Sequence, residues 1–214
     1  MNPFGVPITD KTLQEMSEYR DKEITQEDRA REAMRLIHAE DKNLNALQHA
    51  LNLKARYGTG VSTLCLVYNG TGDTLQQVQQ IDWYGYIYNE QPPRSFENGQ
   101  WLAFLHAHPT AQSRGCEAAR VYRGKNVKGE VRDYMIAWST PWGPSYQNSA
   151  YTEVRGEDHF PKFWSYIRGL LANAEKITTD ETDKNCTSAV GIGGVTSPEF
   201  IAILKHKFSP EPEP

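Results

Sequence analysis

The sequence predicts an α+β protein: an antiparallel β-sandwich with a helical N-terminal segment and flanking helices. Apolar residues recur at helical spacing over positions 1–57, then alternate in successive short runs from Val61 onward. Turn residues separate those runs, at Asn69-Gly70, Asn98-Gly99, Gly124, Lys128-Gly129 and Gly143-Pro144. The chain divides on this pattern into a helical segment at 1–57 packed on the body, a sandwich with helices at 58–208, and a Pro/Glu tail at 209–214 expected to be disordered.

Taken in order, Thr9 is placed to cap a short helix with Leu13 and Met16 on one face. Thr25 and Asp28 form a capping-box pattern, with Asp where Glu or Gln is usual. Ala30, Met34, Ile37, Leu44, Leu47 and Leu51 follow at helical spacing toward Arg56, and the polar stretch Glu40-Asp41-Lys42-Asn43 predicts a joint between two helices. Gly58 and Gly60 end the run. Arg29, Arg31, Glu32, Arg35 and Glu40 read as its solvated face. Strands are expected at 61–69, 74–88, 100–108, 117–123, 131–140 and 149–155. Asp158 is expected to cap a helix bearing Phe163, Trp164, Ile167, Leu170 and Leu171. A polar linker at 178–185 then leads to a strand at 186–192, and Ser197-Pro198-Glu199 has the N-cap and first-turn proline of a terminal helix.

Composition narrows the function classes. A net charge of −4 leaves no general basic footprint for displacing counterions from nucleic-acid phosphates. No apolar stretch has the length of a membrane-spanning helix, and residues 1–10 lack the layout of a secretory signal. The expected location is therefore the cytoplasm, or cytoplasm and nucleus. Cys65, Cys116 and Cys186 are odd in number, far apart and without zinc spacing, so they are expected as buried reduced thiols.

Three constellations are candidates for chemistry. In the run 74–88, Ile81, Trp83, Gly85 and Ile87 fall on one face by alternation, and Asp82, Tyr84, Tyr86 and Tyr88 on the other. Tyrosines beside a carboxylate suit a sugar ring or a choline-like cation, and equally suit cross-strand packing on a half-exposed sheet. His106 and His108 alternate on a strand, but two imidazoles do not close a metal site, and no metal or cofactor is assigned. The motifs of nucleophilic catalysis and phosphate loops are missing, and Gly191-Ile192-Gly193-Gly194 lacks the lysine of the latter, so no catalytic residue is assigned. The densest patch runs from Trp138 through Pro141, Trp142 and Tyr146 to Asn148, a strand ending in a loop rich in Pro, Trp and Tyr. Such a loop either grips a partner or plugs the end of the sandwich with Trp138 and Trp142.

Phe4-Gly5, Pro7-Ile8-Thr9-Asp10, the run Gly60 to Asn69, Asn98-Gly99-Gln100-Trp101, Val121-Tyr122-Arg123-Gly124 and Ala137-Trp138-Ser139 with Pro141-Trp142 resemble the plant 23 kDa jasmonate-induced protein family over nearly the whole chain. That resemblance implies a stress- and hormone-responsive protein. A more distant resemblance links Ser139-Thr140-Pro141-Trp142 and Tyr146-Gln147-Asn148 to actinoporin-like sandwiches, which include sphingomyelin-binding members. It implies contacts to a phosphocholine headgroup from Ser139, Pro141 and Tyr146, with Gly115 as a turn match. Ala107 and Glu117 depart from the headgroup contacts of that family, and the missing paired tryptophans after Tyr146 and the charged N-terminal helix speak against pore formation.

The resulting expectation is a non-enzymatic protein that binds a phosphocholine-type lipid headgroup or a carbohydrate through Ser139, Pro141, Trp142, Tyr146, Tyr84 and Tyr86, with peripheral membrane contact. Two alternatives stand beside it: a scaffold protein using an exposed Leu44–Leu47–Leu51 stripe on the N-terminal helices, and an enzyme dependent on His106 and His108.

Overall fold

Both predicted threonine caps form. The structure, a computed structural model, describes residues 2–109, 114–143 and 147–208. Helix α1 (Asp10–Gln14) starts at a capping box of Thr9 and Thr12, and α2 (Gln26–Arg35) at one of Thr25 and Asp28. Helix α3 (Lys42–Tyr57) follows a joint in which Glu40 and Asp41 both take positive φ, so the polar stretch is indeed a break. The charged face is less solvated than its composition implies. Glu32 is buried against Arg35 at 2.6 Å, and the Arg29 guanidinium donates to the Gly72 carbonyl and to Asp10.

Among the described residues eleven strands build the body: β1 (Ser62–Gly70), β2 (Leu75–Tyr84), β3 (Tyr86–Ile87), β4 (Ser95–Phe96), β5 (Trp101–Ala107), β6 (Cys116–Lys125), β7 (Val131–Thr140), β8 (Ser149–Arg155), β9 (Ile177–Asp180), β10 (Cys186–Ile192) and β11 (Glu199–His206). One sheet has the order β3-β5-β1-β11-β10-β9 and the other β4-β2-β6-β7-β8. Cys65, Val67, Phe104 and Phe200 of the first face Tyr122, Tyr134, Ile136 and Trp138 of the second in one shared core. The outer face of the six-stranded sheet is covered by Ala46, Ala50 and Leu53 of α3. On the outer face of the five-stranded sheet, Phe160 and helix α4 (Trp164–Ala172) pack through Ile167 and Leu171. All three cysteines are free and buried.

Several expectations need correction. The segment after Ser197-Pro198 is a strand, because Phe200, Ala202 and Leu204 alternate into the core. The proline simply precedes the first paired residue. Strand β11 pairs parallel to β1, so this sheet is mixed and the sandwich is not purely antiparallel. The expected linker at 178–185 contains most of β9, an edge strand on β10. Asp158 does not cap α4; it takes positive φ and binds Arg123 at 2.7 Å, and α4 begins without a side-chain cap.

The run 74–88 is not one strand. It leaves the five-stranded sheet after Tyr84, passes Gly85 at φ +103°, and joins the six-stranded sheet as β3, paired to β5. A Cβ on Gly85 would lie 2.7 Å from His106 Cε1 and 2.9 Å from the Ala107 carbonyl oxygen. Both neighbours are held, so neither conformation nor space admits a side chain. Gly85→Ala is expected to cost about 2 kcal/mol or more, read as a lowered urea midpoint at unchanged denaturant slope. An unshifted midpoint would refute the steric argument for this crossing.

Candidate functional site

One end of the sandwich gathers the loop that the sequence singles out. Ser62 is registered against Ala107, Cys116 against Thr140, and Ser139 against Ser149, so the ends of five strands meet there. The Thr63 and Thr140 hydroxyls bond at 2.8 Å and tie the two sheets together. Asn148 Nδ2 donates to the carbonyls of Gly193 and Val195, which brings the β10–β11 turn to the same end. Ile177, opposite Gly191, is beside it.

The predicted residues occupy this end in two groups. Ser139, half-buried, lies in register with Glu117, and Glu117 with Tyr84. These three form a row on the outer face of the five-stranded sheet, under α4. Arg168 of α4 binds both Glu117 oxygens at 3.0 Å. Tyr84 reaches this face because a register shift between Asp82 and Tyr84 reverses the alternation. Its ring is not an open platform, since the guanidiniums of Arg114 and Arg168 lie 4.7 and 4.9 Å from its centroid. Hydrogen bonding to Arg168 and the charges of both arginines lower the phenol's pKa, the mark of a positive local potential.

The second group lies across the end, against the six-stranded sheet. Pro141 abuts Gly115, where a Cβ would come within 2.7 Å of the proline Cα and 1.9 Å of the Thr140 carbonyl oxygen. Trp142 is 45% exposed and rests its ring on buried His108 at 4.7 Å. Tyr86 is exposed on β3. The expected row of Asp82, Tyr84, Tyr86 and Tyr88 on one face therefore does not exist: Asp82 turns inward, Tyr84 outward, and Tyr86 belongs to the other sheet. Tyr146 lies outside the described residues. Of the two tryptophans expected to plug the end, only Trp138 is buried.

Sequence reasoning missed Arg114 and Arg168, as well as exposed Ile177 (74%) on β9 and Val195 (65%) in the β10–β11 turn. Arg114, Glu117 and Arg168 meet only when α4 folds over the sheet, and no local pattern connects them. The α3 stripe exists in part: Leu44 and Leu51 are exposed, while Leu47 packs toward the sheet.

Beneath the loop end, four buried or half-buried polar groups interlock. The Trp138 indole N–H donates to His106 Nδ1 at 3.1 Å, which leaves the proton on Nε2, facing Asp82 Oδ1 at 3.3 Å. Arg120, 1% exposed, donates to the same Asp82 oxygen at 2.7 Å and lies 5.5 Å from the Trp138 ring centroid. Burial works to raise the Asp82 carboxyl, but the imidazole and Arg120 outweigh it and hold the pKa low. Burial lowers the His106 imidazole; Asp82 opposes this and Arg120 adds to it. His106 is thus a core residue. Among the described residues, no three His, Cys, Asp or Glu side chains are grouped to hold a metal ion.

The family described as Nakanori-like protein matches residues 4–207. The 23 kDa jasmonate-induced protein of Hordeum vulgare is 38% identical over 208 residues, which are 96% of this chain and 98% of that protein. The jasmonate-induced protein homolog of Atriplex canescens is 22% identical over 176 residues, 80% of this chain and 94% of its own. Among solved structures, the lipid binding protein Nakanori is similar at a TM-score of 0.86 and 26% identity, covering 94% of this chain and 98% of that one. These matches bear out the jasmonate-induced resemblance read from the sequence.

The buried network carries a pH dependence of stability. An unfolded chain, with its imidazole at the ordinary value of 6.5, takes up a proton that folded His106 resists. The site's contribution is fully present above about pH 6.5 and is lost as pH falls through the lower folded value. The urea midpoint is expected to drop from about pH 7 to about pH 5, and less steeply in His106→Gln. An equal drop in the variant would move the effect to His49 or His206, whose imidazoles burial also lowers.

Proposed function

The chain belongs to the Nakanori-like family, and from that membership and the character of its loop end we propose that it is a non-enzymatic, jasmonate-responsive stress protein that docks on lipid headgroups. The observation that carries this reading is that one end of the sandwich exposes Trp142 and Tyr86 on its β3–β5 side and Val195 and Ile177 toward its β9 side, with the cations Arg114 and Arg168 on Tyr84 and Lys176 beside Gly194. A rim that carries both exposed apolar side chains and cations suits the boundary between headgroups and acyl chains. The same mixture would be a costly surface in water alone.

Within this end, the two faces divide the work. Arg114 and Arg168, both against the Tyr84 ring, present guanidinium groups to a headgroup phosphate, with Ser139, in register with Glu117, as a hydroxyl partner. Glu117 pairs with Arg168, and among the described residues no carboxylate is paired with Arg114, so the two arginines carry a net positive charge there. A phosphocholine cation finds no free face on Tyr84; the exposed ring of Trp142 or Tyr86 is the surface left to it. Trp142, braced on His108, enters the interface as a held anchor, which limits the side-chain entropy lost on docking. The three free thiols suit a cytoplasmic site of action.

Flotation with vesicles of phosphatidylcholine, sphingomyelin and sterol tests the proposal. Trp142→Ala is expected to weaken partition about tenfold, roughly 1.4 kcal/mol of lost aromatic burial. Arg114→Glu is expected to weaken it further on vesicles that contain phosphate headgroups while leaving the thermal midpoint unchanged. No flotation of the wild type on any of these vesicles, or partition unchanged in both variants, removes the headgroup reading.

A further inference from the structure

We propose that the cleft between the N-terminal strap and α3 binds a neutral, polyhydroxylated ring, that is, a carbohydrate, at a site separate from the loop end. The cleft, about 420 Å³, is walled by residues 3–5 on one side and by Asn45, Gln48, His49 and Asn52 on the other. That volume lies in the range of small-molecule sites, about 300–1,000 Å³.

Both walls are rigid. Ala46, Ala50 and Leu53 bury one face of α3 against the sheet, which leaves Asn45, Gln48 and Asn52 exposed along the flank beside the strap. Opposite them, the strap is pinned to β5 and the chain before it. Phe4 exchanges two backbone hydrogen bonds with Trp101 at 2.8 and 2.9 Å. Asn2 both donates to and accepts from Ala103, and Gln100 donates to the Gly5 carbonyl at 2.9 Å. Gly5, at φ +97°, lies so close to the Lys42 stem that a Cβ would sit 2.7 Å from it. The strap is therefore a fixed edge, and a ligand meets a preformed cleft.

The lining selects the ligand class by elimination. The described lining residues include neither a carboxylate for a cation nor an Arg or Lys for a phosphate or carboxylate; Glu90 and Arg56, whose charges act on His49, stand outside the lining. Burial holds the His49 imidazole below its ordinary value, so it too is neutral near pH 7. A purely apolar ligand would strip water from three amides without replacing their hydrogen bonds. What remains is a neutral ligand rich in groups that both donate and accept. Gln48 Nε2 donates to Asn52 Oδ1 at 3.0 Å, which aligns the two amides. The Gln48 carbonyl oxygen and the Asn52 N–H donors have no other side-chain partner among the described residues. Hydroxyls on adjacent ring carbons match such an acceptor–donor pair. Phe4, its ring 5.4 Å from that of His49, supplies the apolar surface for the C–H face of a sugar.

NMR of the ¹⁵N-labelled full chain, titrated with the methyl glycosides of glucose, galactose, mannose and N-acetylglucosamine, tests this. Saturable shifts are expected in the side-chain amide signals of Asn45, Gln48 and Asn52 with at least one probe, at millimolar affinity. The double variant Gln48→Ala/Asn52→Ala is expected to weaken that binding at least about tenfold, at an unchanged thermal midpoint because both residues are exposed. Trp142→Ala is expected to leave sugar binding intact, so this site and the headgroup reading fail independently. No saturable shift with any of the four glycosides, or undiminished shifts in the double variant, overturns the proposal.

Discussion

The loop end stands on the interlocked set of Trp138, His106, Asp82 and Arg120. Each comes from a different strand, respectively β7, β5, β2 and β6, so the set fixes both sheets at once. An arginine with 1% exposure is stable only with its charge answered, and Asp82 is the carboxylate that answers it. Removing one partner of a buried pair costs on the order of 3–5 kcal/mol, reduced here because the Asp82 side chain is 27% exposed. Arg120 also lies near the Trp138 ring, and Trp138 holds the imidazole in the tautomer that faces Asp82. Such a closed circuit specifies one arrangement of the strand ends. The loop above then presents Trp142 from a fixed base.

Just outside that circuit, the chain changes sheets at Gly85. The glycine lies over His106, so the crossing and the buried network share one space. This geometry separates residues that are neighbours in sequence. Tyr84 is clasped by two arginines under α4, while Tyr86, two positions on, is exposed on the opposite sheet. The loop end thus has a cationic flank and an aromatic flank, and one short piece of chain supplies a tyrosine to each.

Much of the architecture was legible because burial imposes a period on it. Strands at 131–140, 149–155 and 186–192 fall where alternation and turn residues place them, and both threonine caps form. Failures come where two local signals compete. Ser197-Pro198-Glu199 has a helix-start pattern, yet the alternation of Phe200, Ala202 and Leu204 into the core between β1 and β10 decides for a strand. At Gly85 the alternation is interrupted by a register shift and a sheet change, neither of which leaves a mark in composition. The sequence singled out Ser139, Pro141 and Trp142 as one loop, and they lie at one end of the sandwich on two different flanks. Its charges were not, because Arg114, Glu117 and Arg168 are brought together by the tertiary packing of α4.

Strand β11 has a consequence for how the molecule assembles. It lies in the middle of its sheet, parallel to β1 and antiparallel to β10, although more than 120 residues of sequence separate it from β1. While the chain is being synthesised, β1 and β5 can pair early, but the edge of β1 that awaits β11 stays open until residues 199–206 have emerged. Such distant pairing raises contact order and slows folding. In the interval, α3 lying across Leu64, Leu66 and Leu105 keeps at least one apolar face of the half-built sheet away from other nascent chains.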